Sequence, residues 1–360
     1  MLPPLKPDSP RLADVLRSCL GAVAASDNAL GFSAVQKAIV VVIDGLGHMQ
    51  LKAHSGHARF LAPASKPLVS GFPTTTASAL ASLATGASAG THGIVGYDAF
   101  VPGVGVRNQL RDWGADMDPV AHQRSQPLWR DGCAVVSEAK HRSSGFTAAI
   151  LRGAEYIGHD RLSNRVEAAS EAARTHDVTY LYLPELDRLG HSGGVASDAW
   201  VSKLEEIDGL LADLAAANPD AGIAVTADHG MVDVPEDKHV LLDADDVPQL
   251  DGLAGEPRGR QLRLRDPAAA EAVAEELSDA LGKTAWVASR EELVDSGALG
   301  RVDPEVLPRL GDVFILSRGR HAHYFDEQDA ARGMIGQHGS MTDDELLVPL
   351  IRLGAWRTGR

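Results

Sequence analysis

Six residues with side chains suited to metal binding lie in four segments of this chain: Asp44 in VVVIDGLG, Asp187 and His191 in LPELDRLGH, Asp228 and His229 in VTADHG, and His338 in GQHGS. Three aspartates and three histidines, without a thiolate, form a hard-to-borderline donor set that suits zinc or manganese at a catalytic site with open positions. Six ligands exceed what one catalytic zinc uses and match the needs of two ions. Two ions ~3.5–4 Å apart stabilise the attacking and leaving oxygens of an in-line displacement at phosphorus. Taken singly, an Asp after a strand is ordinarily a turn or cap residue. The conjunction of four such segments is what points to a two-metal hydrolase. The stretch SGFPTTTASALASLATGASAGTHGIVGY, residues 70–97, adds hydroxyls at a helix start: Thr74, Thr75 and Thr76. N-capping accounts for one of them. A hydroxyl nucleophile at a helix N-terminus gains a positive end-field and free amides facing the phosphoryl oxygens. The residues alone leave open which threonine fills that role.

These ligands need elements that carry them to one place. The run KAIVVVIDGLG, residues 37–47, is a buried parallel strand in pattern, and 178–183 (VTYLYL) and 222–227 (GIAVTA) read the same way. Each is followed by one of the acidic clusters. In open α/β sheets ligands bind beyond the carboxyl ends of the strands. Further strands are expected at 134–139 (AVVSEA) and 145–153 (GFTAAILRG). Helices are expected over DRLSNRVEAASEAARTH and over SDAWVSKLEEIDGLLADLAAANP, the latter N-capped by Ser197 and ended at Asn218-Pro219. Alternating strands and helices predict an α/β fold, a mostly parallel central sheet with helices on both faces. The texture changes over 241–330, where RQLRLR, PAAAEAVAEELSDAL, TAWVAS, a helix at 290–298 and GDVFILS predict a small inserted α+β subdomain. The core is then expected from 1–240 and 331–360, with the insertion serving as substrate cap or as contact in a homodimer.

Bulk properties narrow the partners. A formal net charge of −15 argues against binding of nucleic-acid polymers, which calls for a basic face. It permits a small anionic substrate, since bound metal supplies local positive charge. The two cysteines, Cys19 and Cys133, lack metal-type spacing and suit a reducing compartment. No stretch approaches a membrane span. Leu12, Leu16, Leu20 and Val23 recur at helical spacing, and Asp14 and Arg17 interrupt the apolar run, so the N-terminal stretch is expected to be an amphipathic surface helix and not an export signal. A cytoplasmic location is expected.

Taken in order, VVVIDGLG, FPTTTASALASLATGASAGTHGIVGY, LPELDRLGHSGG, VTADHGMVD and GQHGS resemble the alkaline phosphatase superfamily, and within it the type I phosphodiesterase/nucleotide pyrophosphatase family. The resemblance runs from about residue 37 to 240 and resumes near 334. It implies an alkaline-phosphatase-like fold and two zinc ions, manganese being a substitute. One ion would be held by Asp44, Asp228, His229 and the nucleophile oxygen, the other by Asp187, His191 and His338. The family places its nucleophile three residues after a Pro and nine before a Thr-Gly pair; Pro73 and Thr85-Gly86 put it at Thr76. The implied activity is that of a metal-dependent phosphodiesterase/nucleotide pyrophosphatase acting through a phospho-threonine intermediate, with Thr74 and Thr75 left as turn and cap residues.

The chain departs from the family pattern where substrates are selected. Ala77 stands where nucleotide-hydrolysing members often carry a stacking aromatic ring, and Tyr97 stands where they carry an Asn donor to the phosphoryl oxygen. Tyr97, or Asn108 in RNQLRDW, is the expected replacement donor. A phosphonoacetate-type phosphonate hydrolase or a phosphomonoester hydrolase on the same site is the alternative reading, and a non-catalytic metal-binding protein a third. His48, His54 and His57 are expected at the surface, and His92 is expected to order the loop after the nucleophile helix. His321 and His323 are expected at the site mouth or in solvent, and Tyr156 in the core or against a substrate base.

Overall fold

The run AIVVVI forms strand Ala38–Ile43 (β1), and all six residues are buried. A strand covered by helices on both faces carries apolar side chains at every position, without alternation. Around it, in the computed structural model, which describes residues 2–3 and 9–357, lie Ser65–Val69 (β2), Cys133–Ser137 (β3), Glu155–Gly158 (β4), Val178–Leu183 (β5) and Gly222–Thr226 (β6). A second sheet uses Leu250–Glu256 (β7), Gly259–Leu264 (β8), Ala285–Ser289 (β9) and Val313–Ser317 (β10). Leu347–Gly354 (β11) returns to the first. The central order is β2-β11-β6-β1-β5-β3-β4. The pairs β1–β5, β1–β6, β3–β5 and β3–β4 are parallel, and β11 alone runs against its neighbours. This is the mostly parallel sheet that the sequence predicts.

Seven helices matter below: Ala13–Val23 (α1), Thr76–Thr85 (α2), Gly145–Ile150 (α3), Leu162–Thr175 (α4), Glu185–Gly193 (α5), Asp198–Ala217 (α6) and Ala270–Leu281 (α7). Leu12 at the N-cap of α1 and Val15, Leu16 and Cys19 within it are fully buried in the core while Arg17 stays exposed, which is the amphipathic split read from the sequence. Ser197 caps α6 by accepting from the Trp200 amide at 3.3 Å. Residues 145–153 are not a strand. Ser144 accepts from the Thr147 amide at 3.1 Å and starts α3 there, and the adjacent strand is β4. A short apolar run suits a helical turn or a strand equally, and the N-cap decides. No helix among the described residues is long and apolar enough to cross a membrane.

The second sheet is wholly antiparallel, in the order β7-β8-β10-β9. Its strand β10 is buried throughout and serves two cores. Val313 and Ile315 pack with Val273, Leu277 and Leu281 of α7. Phe314 and Leu316 point the other way, against Phe72, Val95, Met341 and Leu346. A period of two thus puts one face of the sheet on its own helix and the other on the segments that flank Thr74–Thr76 and His338. A fully buried ion pair fastens the junction: Arg258 Nε and Nη2 donate to Glu345 Oε1 and Oε2 at 2.8 and 2.9 Å. Glu345 Oε1 also accepts from the Ser340 amide at 3.0 Å, which fixes the loop carrying His338.

Candidate active site

Strand register brings the acids together. Val42 of β1 pairs with Tyr182 of β5 and Thr226 of β6, so three adjacent strands end side by side. Asp44 follows the first, Asp187 the second, and Asp228 and His229 the third. On α5, Asp187 and His191 are four residues apart and therefore share a face. Gly45 lies at φ +74°, and a Cβ there would sit 3.0 Å from Asp187 Cα. Only glycine lets β1 and α5 approach this closely. His338 arrives from the C-terminal side.

Two groups of potential ligands result, Asp44–Asp228–His229 and Asp187–His191–His338, each with its donor atoms within 4.8 Å of one another. His229 Nε2 lies 3.4 Å from Asp44 Oδ1 and 3.7 Å from Asp228 Oδ2. His191 Nε2 and His338 Nε2 lie 3.3 and 3.8 Å from Asp187 Oδ1. The groups abut, with the His229 and His338 rings stacked at 3.7 Å. All three imidazoles are oriented from behind, with Nδ1 against a backbone carbonyl: Gly336 for His191 at 2.8 Å, Gly230 for His229 at 3.1 Å and Thr74 for His338 at 2.9 Å. That leaves each Nε2 as the free donor, the usual outer support of a metal-binding histidine.

The donor set fits cations. Asp44 Oδ1, Asp187 Oδ1 and Asp228 Oδ2 are buried without a hydrogen-bond partner, a costly state that a cation relieves. Burial, then the charge of Asp228, pushes Asp44 well above the carboxylate range. Burial, then the charge of Asp44, pushes Asp187 to about 7. Asp228 also rises to about 7, mainly through burial. Burial, then the two neighbouring imidazoles, holds His338 far below its usual value, and burial lowers His229 as well, so both stay neutral and able to ligate. The Tyr182 hydroxyl donates to Asp44 Oδ2, and the Gly45 and His229 amides donate to Asp228 Oδ1 at 3.2 and 3.0 Å.

The three threonines have three different placements. Thr74 is neither turn nor cap: its hydroxyl donates to Ser340 O at 2.7 Å and accepts from the Gly339 amide at 3.1 Å, pinning the His338 loop. Thr75 occupies the N-cap position of α2 with no side-chain cap bond. Thr76 is the first residue of α2, its Oγ1 3.1 Å from His229 Nε2. A cavity of about 490 Å³ opens over it, lined by Asp44, Thr76, Asp187 and an aromatic and cationic wall that includes Phe146, Tyr156, Tyr182, Arg111 and Arg188.

Ala77 is fully buried in the core and gives this cavity nothing. Asn108 is buried, with its amide nitrogen donating to Asp98 Oδ1 at 2.9 Å and its Oδ1 accepting from the Leu110 and Arg111 amides. Tyr97 is half-buried beside the Arg111 guanidinium. Neither is among the cavity-lining residues. Tyr156 does line it, its hydroxyl donating to Glu138 O at 2.7 Å. His92 is buried, with Nε2 3.0 Å from Ser82 Oγ and Nδ1 accepting from the Ile94 amide, which orders the loop after α2. His323 is buried against Ser317 and not at the mouth. Sequence reasoning missed Tyr182, Arg111 and Phe146, because a tyrosine inside a strand and residues in a loop and a short helix carry no spacing signal.

The profile described as "Type I phosphodiesterase / nucleotide pyrophosphatase" matches residues 38–341. No curated protein sequence matches the chain. Among solved structures, human ectonucleotide pyrophosphatase/phosphodiesterase 5 is similar at 18% identity and TM-score 0.68, over 89% of this chain and 88% of that one. An inactive form of the murine protein in complex with AMP has 18% identity and TM-score 0.67, over 87% of each chain. Phosphonoacetate hydrolase from Sinorhizobium meliloti 1021, in complex with phosphonoacetate, has 20% identity and TM-score 0.66, over 89% and 91%. At such identities these likenesses speak for a shared fold. The profile spans most of the chain, and the chain belongs to the type I phosphodiesterase/nucleotide pyrophosphatase family, a family of phosphoester hydrolases.

Proposed function

We propose that the chain is a two-metal phosphodiesterase of nucleotide-pyrophosphatase type that works through a phospho-threonine on Thr76. The observation that carries this is Thr76 Oγ1, at the start of α2 and 3.1 Å from His229 Nε2, beside three buried carboxylate oxygens without a hydrogen-bond partner. Asp44, Asp228 and His229, with Thr76 Oγ1, would hold one ion, and Asp187, His191 and His338 the other; zinc suits this set, and manganese is a workable substitute. When bound, the ions supply activation of the hydroxyl and neutralise charge on the phosphoryl oxygens. Thr76 Oγ forms a bond to phosphorus as the ester P–O bond breaks, and the alcohol leaves with a proton. Water then cleaves the Thr76–phosphorus bond and releases a phosphomonoester. Free amides of the first turn of α2 face the phosphoryl oxygens. Tyr97 and Asn108, which do not line the cavity, enter the proposal only as supports of Arg111, Tyr97 as the ring beneath its guanidinium and Asn108 through the turn it braces.

The AMP and phosphonoacetate held by the similar proteins support a small phosphorus-containing substrate. A phosphonate or phosphomonoester hydrolase on the same site is the second reading, favoured by the buried Ala77, which leaves no stacking ring beside the nucleophile. We also place the protein in the cytoplasm, a reading supported by two buried, unpaired cysteines, Cys19 and Cys133. The test is a substrate panel with zinc and manganese: bis-p-nitrophenyl phosphate, p-nitrophenyl phosphate, a thymidine phosphodiester, dinucleotide polyphosphates and phosphonoacetate. A diester preference abolished by EDTA and lowered about a thousandfold or more by Thr76→Ala supports the proposal. Robust turnover by Thr76→Ala removes the nucleophile, and a phosphonoacetate preference selects the second reading.

A further inference from the structure

The cavity over Thr76 is larger than a phosphoryl group needs. At about 490 Å³ it has the size of a site for an organic ligand. Away from the acids its wall is largely apolar and aromatic, with Leu80, Leu110, Phe146, Ile150 and Tyr156. Two arginines interrupt that wall. Arg188 is committed, since both its Nη atoms donate to the two oxygens of Glu138. Arg111 is not. It makes no ion pair among the described residues, its side chain is solvent-facing, and its guanidinium carbon rests 5.7 Å from the centroid of the Tyr97 ring. In a chain with 49 acidic residues against 34 lysines and arginines, acidic partners are plentiful, and the nearby carboxylate, Asp98, is taken by Asn108.

The backbone beneath Arg111 is braced. Asn108 Oδ1 accepts from the amides of Leu110 and Arg111 at 3.1 Å each, and the Asn108 amide donates to Asp112 Oδ2 at 2.9 Å. The turn is therefore built around Asn108 and presents Arg111 at the cavity. A guanidinium is a planar fork that pairs with carboxylate or phosphate through two hydrogen bonds. A cation held on a fixed turn, without a protein partner, in the cavity that holds the nucleophile is arranged for an anion arriving from outside.

We propose that Arg111 binds a second anionic group of the substrate, one not bonded to Thr76 during the reaction, so that the preferred substrates are phosphate esters or anhydrides carrying charge beyond the reacting phosphorus. The proposal rests on the phosphoester-hydrolase reading of the site. It makes Arg111 the specificity-determining residue, a role that neither Ala77 nor Tyr97 fills.

The test uses the metal-loaded protein and four p-nitrophenyl phosphodiesters that share the scissile bond. One has an ethyl arm, one a carboxyethyl arm, one a phosphonooxyethyl arm, and one has an ethyl arm with a carboxylate on the nitrophenyl leaving group. The wild type is expected to favour at least one charged ester over the ethyl ester by about ten- to a hundredfold in kcat/KM, mostly through KM. The arm that gains identifies carboxylate or phosphate and its side of the phosphorus. Arg111→Met is expected to erase the preference and Arg111→Lys to keep part of it. No preference in the wild type overturns the proposal. So does an equal loss on all four esters in Arg111→Met, which places the guanidinium on the reacting phosphoryl group. If none of the four is hydrolysed, the phosphoester reading fails, and calorimetric binding decides the Arg111 assignment separately. Carboxyethyl phosphate or phosphonooxyethyl phosphate then has to bind the wild type about ten- to a hundredfold more tightly than ethyl phosphate, with the difference lost in Arg111→Met. Equal affinities overturn it.

Discussion

Asp187→Asn is expected to change stability in opposite directions with and without metal. The Asp187 side chain is 14% exposed, and burial, then the charge of Asp44, moves its pKa from 3.8 to about 7. A carboxyl group whose pKa is raised by folding supports the fold while protonated. That support is lost as pH rises from the unfolded value through the folded one. A displacement of about three units corresponds to about 4 kcal/mol. An asparagine at this position cannot ionise and avoids that cost. Over 360 residues of ordinary unfolding entropy, 4 kcal/mol is roughly 5 °C in Tm. His229 and His338, whose pKa values are lowered, act with the opposite sign, losing stability as pH falls below the unfolded histidine value. Comparison of variant with parent at each pH largely cancels them. Melting of chelator-stripped protein should therefore show the variant level with the parent near pH 4 and roughly 5 °C above it near pH 8. With zinc present the order should reverse, because the variant has lost a ligand. A stripped variant that melts below the parent by the same margin at both pH values would refute this account of the buried carboxyls.

Three further perturbations probe the supports of the site. Tyr182→Phe removes the hydroxyl that donates to Asp44 Oδ2; zinc affinity measured by chelator competition should fall about ten- to a hundredfold, and an unchanged affinity counts against an orienting role. Arg258→Met leaves Glu345 buried and unpaired, costing about 3–5 kcal/mol in denaturant unfolding, with recovery in the double variant Arg258→Met/Glu345→Leu; a loss near zero would show that the junction is not held there. Asn108→Ala removes its side-chain hydrogen bonds to Asp98, Leu110 and Arg111. It should lower stability by about 1–3 kcal/mol and weaken whatever substrate selectivity Arg111 confers. Unchanged stability and kcat/KM on the best substrate would remove it from the site, as an unchanged Tyr97→Phe would remove Tyr97.

The part of the architecture legible in the sequence is the part that repeats one physical rule. β1, β5 and β6 are buried on nearly all positions and lie next to one another, so their apolar runs stood out and the acids after them marked one edge. Where the rule gives way to local chemistry, the sequence misleads. GFTAAILRG contains enough apolar residues for a strand, and the Ser144 cap turns it into α3. β4, with its exposed and half-buried residues, has no such run, and β7 holds Gly252 and Gly255 and is weakly apolar. Among the site residues, side chains with intrinsic metal chemistry were visible by type. Those that act through position were not: Thr74 looked like a turn residue, and its work is to hold the Gly339–Ser340 backbone 265 and 266 positions further along the chain. Only the folded chain brings the two segments together.

The single reversed strand bears on how the protein is made. β11 lies between β2 and β6, pairing Leu347–Ile351 with Ser65–Val69 and Ile351–Gly354 with Gly222–Val225. During synthesis β2, apart from a bridge between Val69 and Arg11, has no strand partner until residues some 280 positions later leave the ribosome, and β6 keeps one open edge for more than 120 residues. Those unpaired edges are templates for pairing with other chains. Lys66 and Pro67 within β2 are the kind of residues that discourage such pairing. His338 emerges only just before β11, so the second ligand group and the closing strand are completed together. A nascent chain thus lacks both the completed sheet and the full candidate ligand set until residues 338–354 have left the ribosome.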